Sequence, residues 1–188
     1  MKPILRDIPL QIESDRLIIR CAQPGDGRAV YEAVVETLED LRAWPASLPW
    51  AMHEPSVETS ETFCRESYVE YLARKGFPML AFLKSDNVFV AASGLHGLDW
   101  SVPAGEIGYW CRKTLQGRGL ATEAVMAISS FAIQTLGVQR IISRPDAENS
   151  PSCKVAEHAG YILEGTLRNE RRSPDGSLRN TCLYSLTN

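Results

Sequence analysis

Ile107-Gly-Tyr-Trp-Cys-Arg-Lys-Thr-Leu-Gln116-Gly117-Arg118-Gly119-Leu120-Ala121-Thr122-Glu123 is a β-rich run that passes through a Gln-Gly-Arg-Gly turn straight into a helical pattern. From Gly119 onward, Leu120, Ala124, Val125, Ile128, Phe131, Ala132 and Leu136 recur three or four residues apart, and Gly137 stops the helix. Glycine lets the backbone approach a ligand closely, and the first N–H groups of a helix have no partner inside it. Together with the helix dipole they form a site for an anion, phosphate above all. A Walker loop would need Lys-[Ser/Thr] after its second glycine, which is missing here. The Rossmann fingerprint fails as well, because Thr122 and Glu123 follow Ala121 and the flanking strands are not spaced as a βαβ unit.

Downstream, Val138–Ser143 reads as a strand, followed by Asp146-Ala-Glu-Asn149-Ser-Pro-Ser152-Cys-Lys154-Val-Ala-Glu-His-Ala-Gly160-Tyr161. Ser150 as N-cap and Pro151 at the first helical position open a short helix ending at Gly160. Strands near Tyr161–Arg168 and Leu178–Leu186 close the chain around the turn Ser173-Pro-Asp-Gly176. Upstream, Met79–Lys84, Val88–Leu95 and Gly105–Cys111 are strands, and Arg16–Ala22 is another, ended by Pro24-Gly25-Asp26-Gly27. Two helices lie between: Arg28 to about Leu41, on Val30, Ala33, Val34, Leu38 and Leu41, and Val57 to Arg74, with Phe63, Ser67 and Tyr71 on one stripe. Residues 43–56, with Trp44-Pro45, Pro49-Trp50 and Pro55, form an irregular aromatic loop. The order β-α-α-β-β-β-α-β-α-β-β predicts one mixed α/β (α+β) domain over residues 1–188 with about four helices.

Taken together, Q-G-R-G-x-A-T-E and E-N-x-x-S-x-K-V-A-E-x-x-G-Y resemble the GNAT acyltransferase superfamily, and within it the ribosomal-protein N-terminal (RimJ/RimL-type) acetyltransferases. The likeness extends over nearly the whole chain, from the Ser14–Arg20 strand through I-G-Y-W to the final G-x-x-R-x-x-x-x-Tyr184-Ser-Leu run. It implies a mostly antiparallel central sheet, splayed between the strand ending at Cys111 and Val138–Ser143, with acetyl-CoA in the gap. Main-chain groups at Trp110, Cys111 and Arg112 would bond the pantetheine, and the amides of Gln116, Gly117, Arg118, Gly119, Leu120 and Ala121 its pyrophosphate. Asn149 would bond the pantetheine arm, and Lys154 would approach the adenosine phosphates. Where the branch often has an acid beside the arginine of the last strand, this chain has Arg179-Asn180.

The implied reaction moves an acetyl group to a primary amine by direct attack, which needs a proton acceptor, donors for the developing oxyanion and support for the leaving thiolate. Ser152 is the candidate for the last task; Glu106, acting directly or through water, and His96 are rival bases. An α-amine titrates near pH ~8, so a modestly raised carboxylate would suffice. Tyr184 on the last strand is expected at the thiol end, and Trp44, Trp50 and Trp100 around the acceptor, while Cys111 and Cys153 read as packing residues.

The acceptor is a protein N-terminus or a small amine such as a polyamine, an aminoglycoside or an amino-acid-like compound. A catalytically silent CoA-sensing module and an interaction protein acting through its acidic helices are the other readings. Residues 31–70 hold nine acids against two bases, either a solvated face or a wall for a cationic acceptor, while residues 112–188 hold ten bases against seven acids. A net charge of −3 over 188 residues shows no nucleic-acid footprint. No apolar run spans a bilayer or forms a signal core, so the expected setting is cytoplasmic, as a monomer or homodimer. Five cysteines without a C-x-x-C pair and three scattered histidines predict neither a disulfide framework nor a metal site.

Overall fold

The computed structural model describes residues 2–188. In chain order the elements are β1 (Gln11–Glu13), β2 (Leu17–Cys21), α1 (Gly27–Arg42), α2 (Val57–Leu72), β3 (Phe77–Leu83), β4 (Phe89–Asp99), β5 (Ala104–Cys111), α3 (Leu120–Phe131), β6 (Arg140–Ser143), α4 (Ser150–His158), β7 (Ile162–Arg172) and β8 (Leu178–Thr187). Short 3-10 turns occupy Pro49–Met52 and Lys113–Leu115, and α3 runs on through a π-helical turn over Ala132–Leu136. This is the order read from the sequence with one strand added. That strand, β1, is three residues paired antiparallel to β2, too short to show a period of two.

All strands join one sheet in the order β1-β2-β3-β4-β5-β6-β8-β7. Every neighbouring pair is antiparallel except β5–β6. That ladder holds only Ala104↔Arg140, Gly105↔Ile141 and Glu106↔Ile142, although β5 continues to Cys111, so beyond Glu106 the two strands part. The expected splay is therefore a property of register: β6 is four residues long beside eight.

Alternation along the strands gives the sheet two buried faces. Leu17, Ile19, Met79, Val90, Ile107 and Ile141 pack against α3 and α4, while Leu80, Phe82, Phe89 and Ala92 pack against α1 and α2. Helix α1 buries Val30, Ala33, Val34 and Leu41, as its spacing predicted, and Thr37 besides, while Leu38, expected with them, is half-buried. In α2 the buried stripe is Ser60, Cys64, Ser67 and Tyr71, and Phe63, expected on it, is 40% exposed. Asn149, not Ser150, caps α4: its side-chain oxygen accepts from the Ser152 amide at 3.1 Å.

Strand β7 outruns its predicted end because it carries a bulge. Leu167 pairs with Thr181 and Arg171 with Arg179, so four residue steps on β7 face two on β8. Asn169 sits in the bulge at φ +53, and its amide donates to the Asn180 side chain at 2.9 Å. Among the described residues no helix is long and apolar enough to cross a membrane, and no three or more His, Cys, Asp or Glu side chains gather as a metal site.

Candidate active site

The turn between β5 and α3 is held from both sides. Gly117 and Gly119 adopt φ +72 and +74, a conformation that costs other L-residues about 1–2 kcal/mol. No side chain caps α3, so its opening amides at Leu120 and Ala121 have no intrahelical partner. After the turn, Glu123 accepts from the Ser14 hydroxyl at 2.7 Å, the Arg16 amide at 2.8 Å and Arg16 Nε at 2.6 Å, while Arg16 also donates to the Arg118 carbonyl at 3.0 Å.

Before the turn, α1 takes hold of the chain. Glu36 accepts from Arg112 Nε at 2.7 Å, the Thr114 amide at 2.8 Å and the Thr114 hydroxyl at 2.6 Å. Thr37 Oγ1 accepts from the Lys113 amide at 3.0 Å, and Asp40 from Lys113 Nζ at 3.0 Å. Burial would raise the Glu36 pKa, but the Thr114 and Arg112 donors outweigh it and hold the carboxyl below its ordinary value. Glu36 and Asp40 are thus spent on the segment entering the turn, and Glu32 pairs with Arg28 at 3.2 Å, so these three acids form no open wall for a cation.

A cavity of about 840 Å³ runs from the aromatic loop and the inner faces of α1 and α2, over β4 and β5, to the start of α4. Trp44, Trp50, Phe63 and Trp110 line one end, and Tyr109, Ser143, Asn149 and Ser152 the other. Between them Gly94 and Gly108 pair across β4 and β5 and leave the floor without side chains. Tyr109, beyond the last β5–β6 pair, reaches across the gap: its hydroxyl donates to the Ser152 carbonyl at 2.8 Å and accepts from Ser143 Oγ at 3.4 Å.

Glu106 stands on the same wall, its carboxylate 3.7 Å from His96 Nε2 and 3.6 Å from an Arg144 nitrogen. Burial alone would raise its pKa, but His96, Arg144 and Arg171 prevail and keep it below the ordinary carboxylate value. The modestly raised carboxylate expected from the sequence is therefore absent: Glu106 is an ionised group among cations. Arg144 also reaches Glu170, and Arg171 donates to Ser47 at 2.8 Å. These arginines and Glu170 were missed in the sequence because the β7 bulge and the end of β6, not any linear motif, bring them here.

The other candidates fall into two groups. Ser152 lines the cavity, and the side chain that caps α4 is that of Asn149, which accepts from the Ser152 amide. The Arg112 amide donates to the Val90 carbonyl at 2.8 Å and its guanidinium to Glu36, so neither is free for pantetheine. Gln116 Nε2 donates to the Cys111 carbonyl at 3.2 Å, and Lys154 is exposed on α4. Burial pushes the Cys111 thiol up to about 11, leaving it protonated at neutral pH. Trp44 and Trp50 line the cavity; Trp100 does not. Its indole donates to the Arg74 carbonyl at 3.0 Å, Arg6 lies over its ring and Phe77 meets it edge-on, so it packs, half-buried, at the edge of the core. Tyr184 is buried beneath α4, its hydroxyl donating to Glu157 at 2.8 Å; it pairs with the lining residue Ser143 on β6 but does not itself line the cavity.

Comparison with known proteins agrees with this architecture. The sequence profile of the acetyltransferase (GNAT) domain family matches residues 16–162. YdaF of Bacillus subtilis (strain 168), provisionally named a ribosomal N-acetyltransferase, is 28% identical over 156 residues, 82% of each chain. The ribosomal-protein-serine acetyltransferase of Escherichia coli (strain K12) is 24% identical over 155 residues, 80% of this chain and 86% of that one. Among solved structures, RimL, the ribosomal L7/L12 α-N-protein acetyltransferase, in complex with coenzyme A superimposes with a TM-score of 0.82 at 20% identity, over 96% of this chain and 97% of its own. At that identity the likeness shows the fold.

Proposed function

The chain belongs to the GNAT acetyltransferase domain family and is an acyltransferase; from that premise we propose that it transfers acetyl from acetyl-CoA to a primary amine, an α-amine in first place. The observation that carries the reading is the unpaired edge of β5 beyond Glu106, which opens into the cavity holding Glu106 and Ser152. Relatives named for ribosomal-protein acetylation support a protein N-terminus as acceptor, and solved structures named as coenzyme A or acetyl-CoA complexes support the donor.

The residues fit that donor. The β5 edge from Ile107 to Cys111 has no β6 partner and offers backbone groups to an extended arm, and the turn amides from Gly117 to Ala121 suit a pyrophosphate, whereas the Gln116 amide is taken by the Lys113 carbonyl at 3.2 Å. Asn149 spends its side-chain oxygen on the α4 cap, so its NH₂ is the group left to donate. Acetyl-CoA supplies an activated acyl group: the amine nitrogen bonds to the carbonyl carbon, the C–S bond breaks, the nitrogen gives up a proton and the sulfur gains one. Glu106, ionised, holds the incoming ammonium and takes its proton directly or through water, with His96 beside it at 3.7 Å. Ser152 donates toward the departing sulfur. Tyr109 keeps the gap at its width by bracing β5 against the first turn of α4. A thiol pushed up to about 11 makes Cys111 a poor acyl carrier, which favours direct attack.

The test is a calorimetric titration with acetyl-CoA followed by thiol release across amines and ribosomal-protein N-terminal peptides. Binding with release supports the reading, and the best acceptor names the branch. Binding without release on any amine favours a sensing module. No binding refutes the cofactor assignment.

A further inference from the structure

Glu106, Gly108 and Trp110 lie two residues apart on β5 and share the α1–α2 face of the sheet, where Trp110 packs on Phe89. Each two-residue step spans ~6.6 Å, so a slot floored by the Gly94–Gly108 pair separates Glu106 from the Trp110 ring, and the His96 imidazole flanks it, 3.4 Å from where a Gly108 Cβ would stand. Trp50 stands 6.2 Å from Trp110, and α1 adds Val34 and Leu38 to the walls. Trp50 and Phe63 are 44% and 40% exposed, large apolar side chains left bare at a concavity, and such surfaces mark binding sites. Of the acids that would suit a polycation, Glu36 and Asp40 are engaged by the segment before α3 and Glu54 by Arg42, which leaves Glu54 and Glu70 as the acids from 31–70 on the lining.

Building on the proposed transferase reading, we propose that the acceptor is the α-amine of a residue with a large apolar side chain, aromatic or long aliphatic. With the amine at Glu106, that side chain lies over Gly108 and against Trp110, Trp50 and Phe63. A serine or alanine side chain leaves the slot empty, and a polyamine with one amine at Glu106 meets the apolar Trp110, Trp50 and Phe63 next to it, with Glu54 and Glu70 as further carboxylates on the lining. The same chemistry is presented by a peptide N-terminus and by a free amino acid.

The experiment measures thiol release with tetrapeptides identical except for a first residue of Phe, Leu, Ala or Ser, with free phenylalanine as a separate arm. Phe and Leu peptides should exceed Ala and Ser peptides by roughly tenfold or more in kcat/KM, the scale on which an apolar pocket discriminates. Trp50→Ala and, separately, Phe63→Ala should shrink that ratio. An equal or better Ser or Ala peptide, or a ratio untouched by both substitutions, overturns the proposal. Free phenylalanine turned over as well as the Phe peptide identifies an amino acid as the source. Tryptophan fluorescence titrations with CoA present read the slot without turnover. Quenching by the Phe peptide and not the Ser peptide, with no thiol release, would uphold the slot and refute the transferase. Release at equal rates for all peptides would do the reverse, and neither signal would refute both.

Discussion

The two ends of the cavity are made of different materials. In the proposed reading the working groups toward α3 and α4 are backbone amides, an unpaired strand edge and one capping asparagine, with the glycine turn set by its own residues and clamped by Glu36 and Glu123. Under α1 and α2 they are side chains from α1, the 43–56 loop, α2, β5, β6 and β7, which meet only in the folded chain. The first end presents one fixed pattern of donors suited to an invariant ligand. The second presents a surface that can be rewritten residue by residue, so donor recognition and acceptor choice are separable.

That division can be broken by substitutions that should affect one end only. The largest effect is expected for Glu106→Gln: a fall in kcat of about 100-fold or more, the scale of a positioned acid–base group, with the acetyl-CoA dissociation constant within about twofold. A loss of donor affinity instead would move Glu106 to the other end. Next, Gly119→Val forces a β-branched residue to φ +74 and should weaken acetyl-CoA binding by about tenfold, from a strain of about 1–2 kcal/mol, while the ranking of acceptors holds. A reordered ranking would show the ends to be coupled.

A smaller effect tests the one element that serves both ends, since α1 lines the acceptor chamber with Val34 and Leu38 and grips Thr114 with Glu36. Glu36→Ala should raise the KM for acetyl-CoA about three- to tenfold, one charged hydrogen bond discounted for partial exposure, with kcat at saturation nearly preserved. A fall in kcat with unchanged KM would contradict a positioning role.

The last effect is one of pH. Glu36, Glu123 and Asp146 all have pKa values below the ordinary carboxylate range: burial would raise each, and the donors of Thr114 and Arg112, of Ser14 and Arg16, and of Arg179 outweigh it. A depressed folded pKa gives stability that is present above the unfolded value of about 4 and lost as pH falls through the folded one. The urea midpoint should therefore be level from about pH 6 to 8 and fall below about pH 4.5, with amide exchange rising early at Lys113–Leu120. A midpoint higher in acid than at neutrality would overturn this account.

Legibility followed the same line. Helix α3, its glycine turn, the start of α4 and the strand order could be read because turn chemistry and apolar period are written in neighbouring residues. The errors fell where register or packing decides. Trp100 reads as a loop aromatic bordering the acceptor and packs half-buried against Arg6 and Phe77; Phe63 reads as part of the buried stripe and lines the cavity; Glu36 and Asp40, within the acidic stretch 31–70 that reads as a solvated face or a wall, bind Arg112, Lys113 and Thr114. Arg144, Glu170 and Arg171 gave no signal, since a bulge pinned by Asn169 and Asn180 aims them.

The sequence alone determined the family, the order of elements apart from β1, and the glycine turn between β5 and α3, because backbone conformation answers to glycine, caps and hydrophobic period over a few residues. Only the tertiary structure decided the width of the gap, the ionisation of Glu106 and the apolar chamber beside it. Those depend on a β5–β6 ladder that stops after Glu106 and on charges and rings from segments far apart in the chain, whose meeting no local pattern encodes.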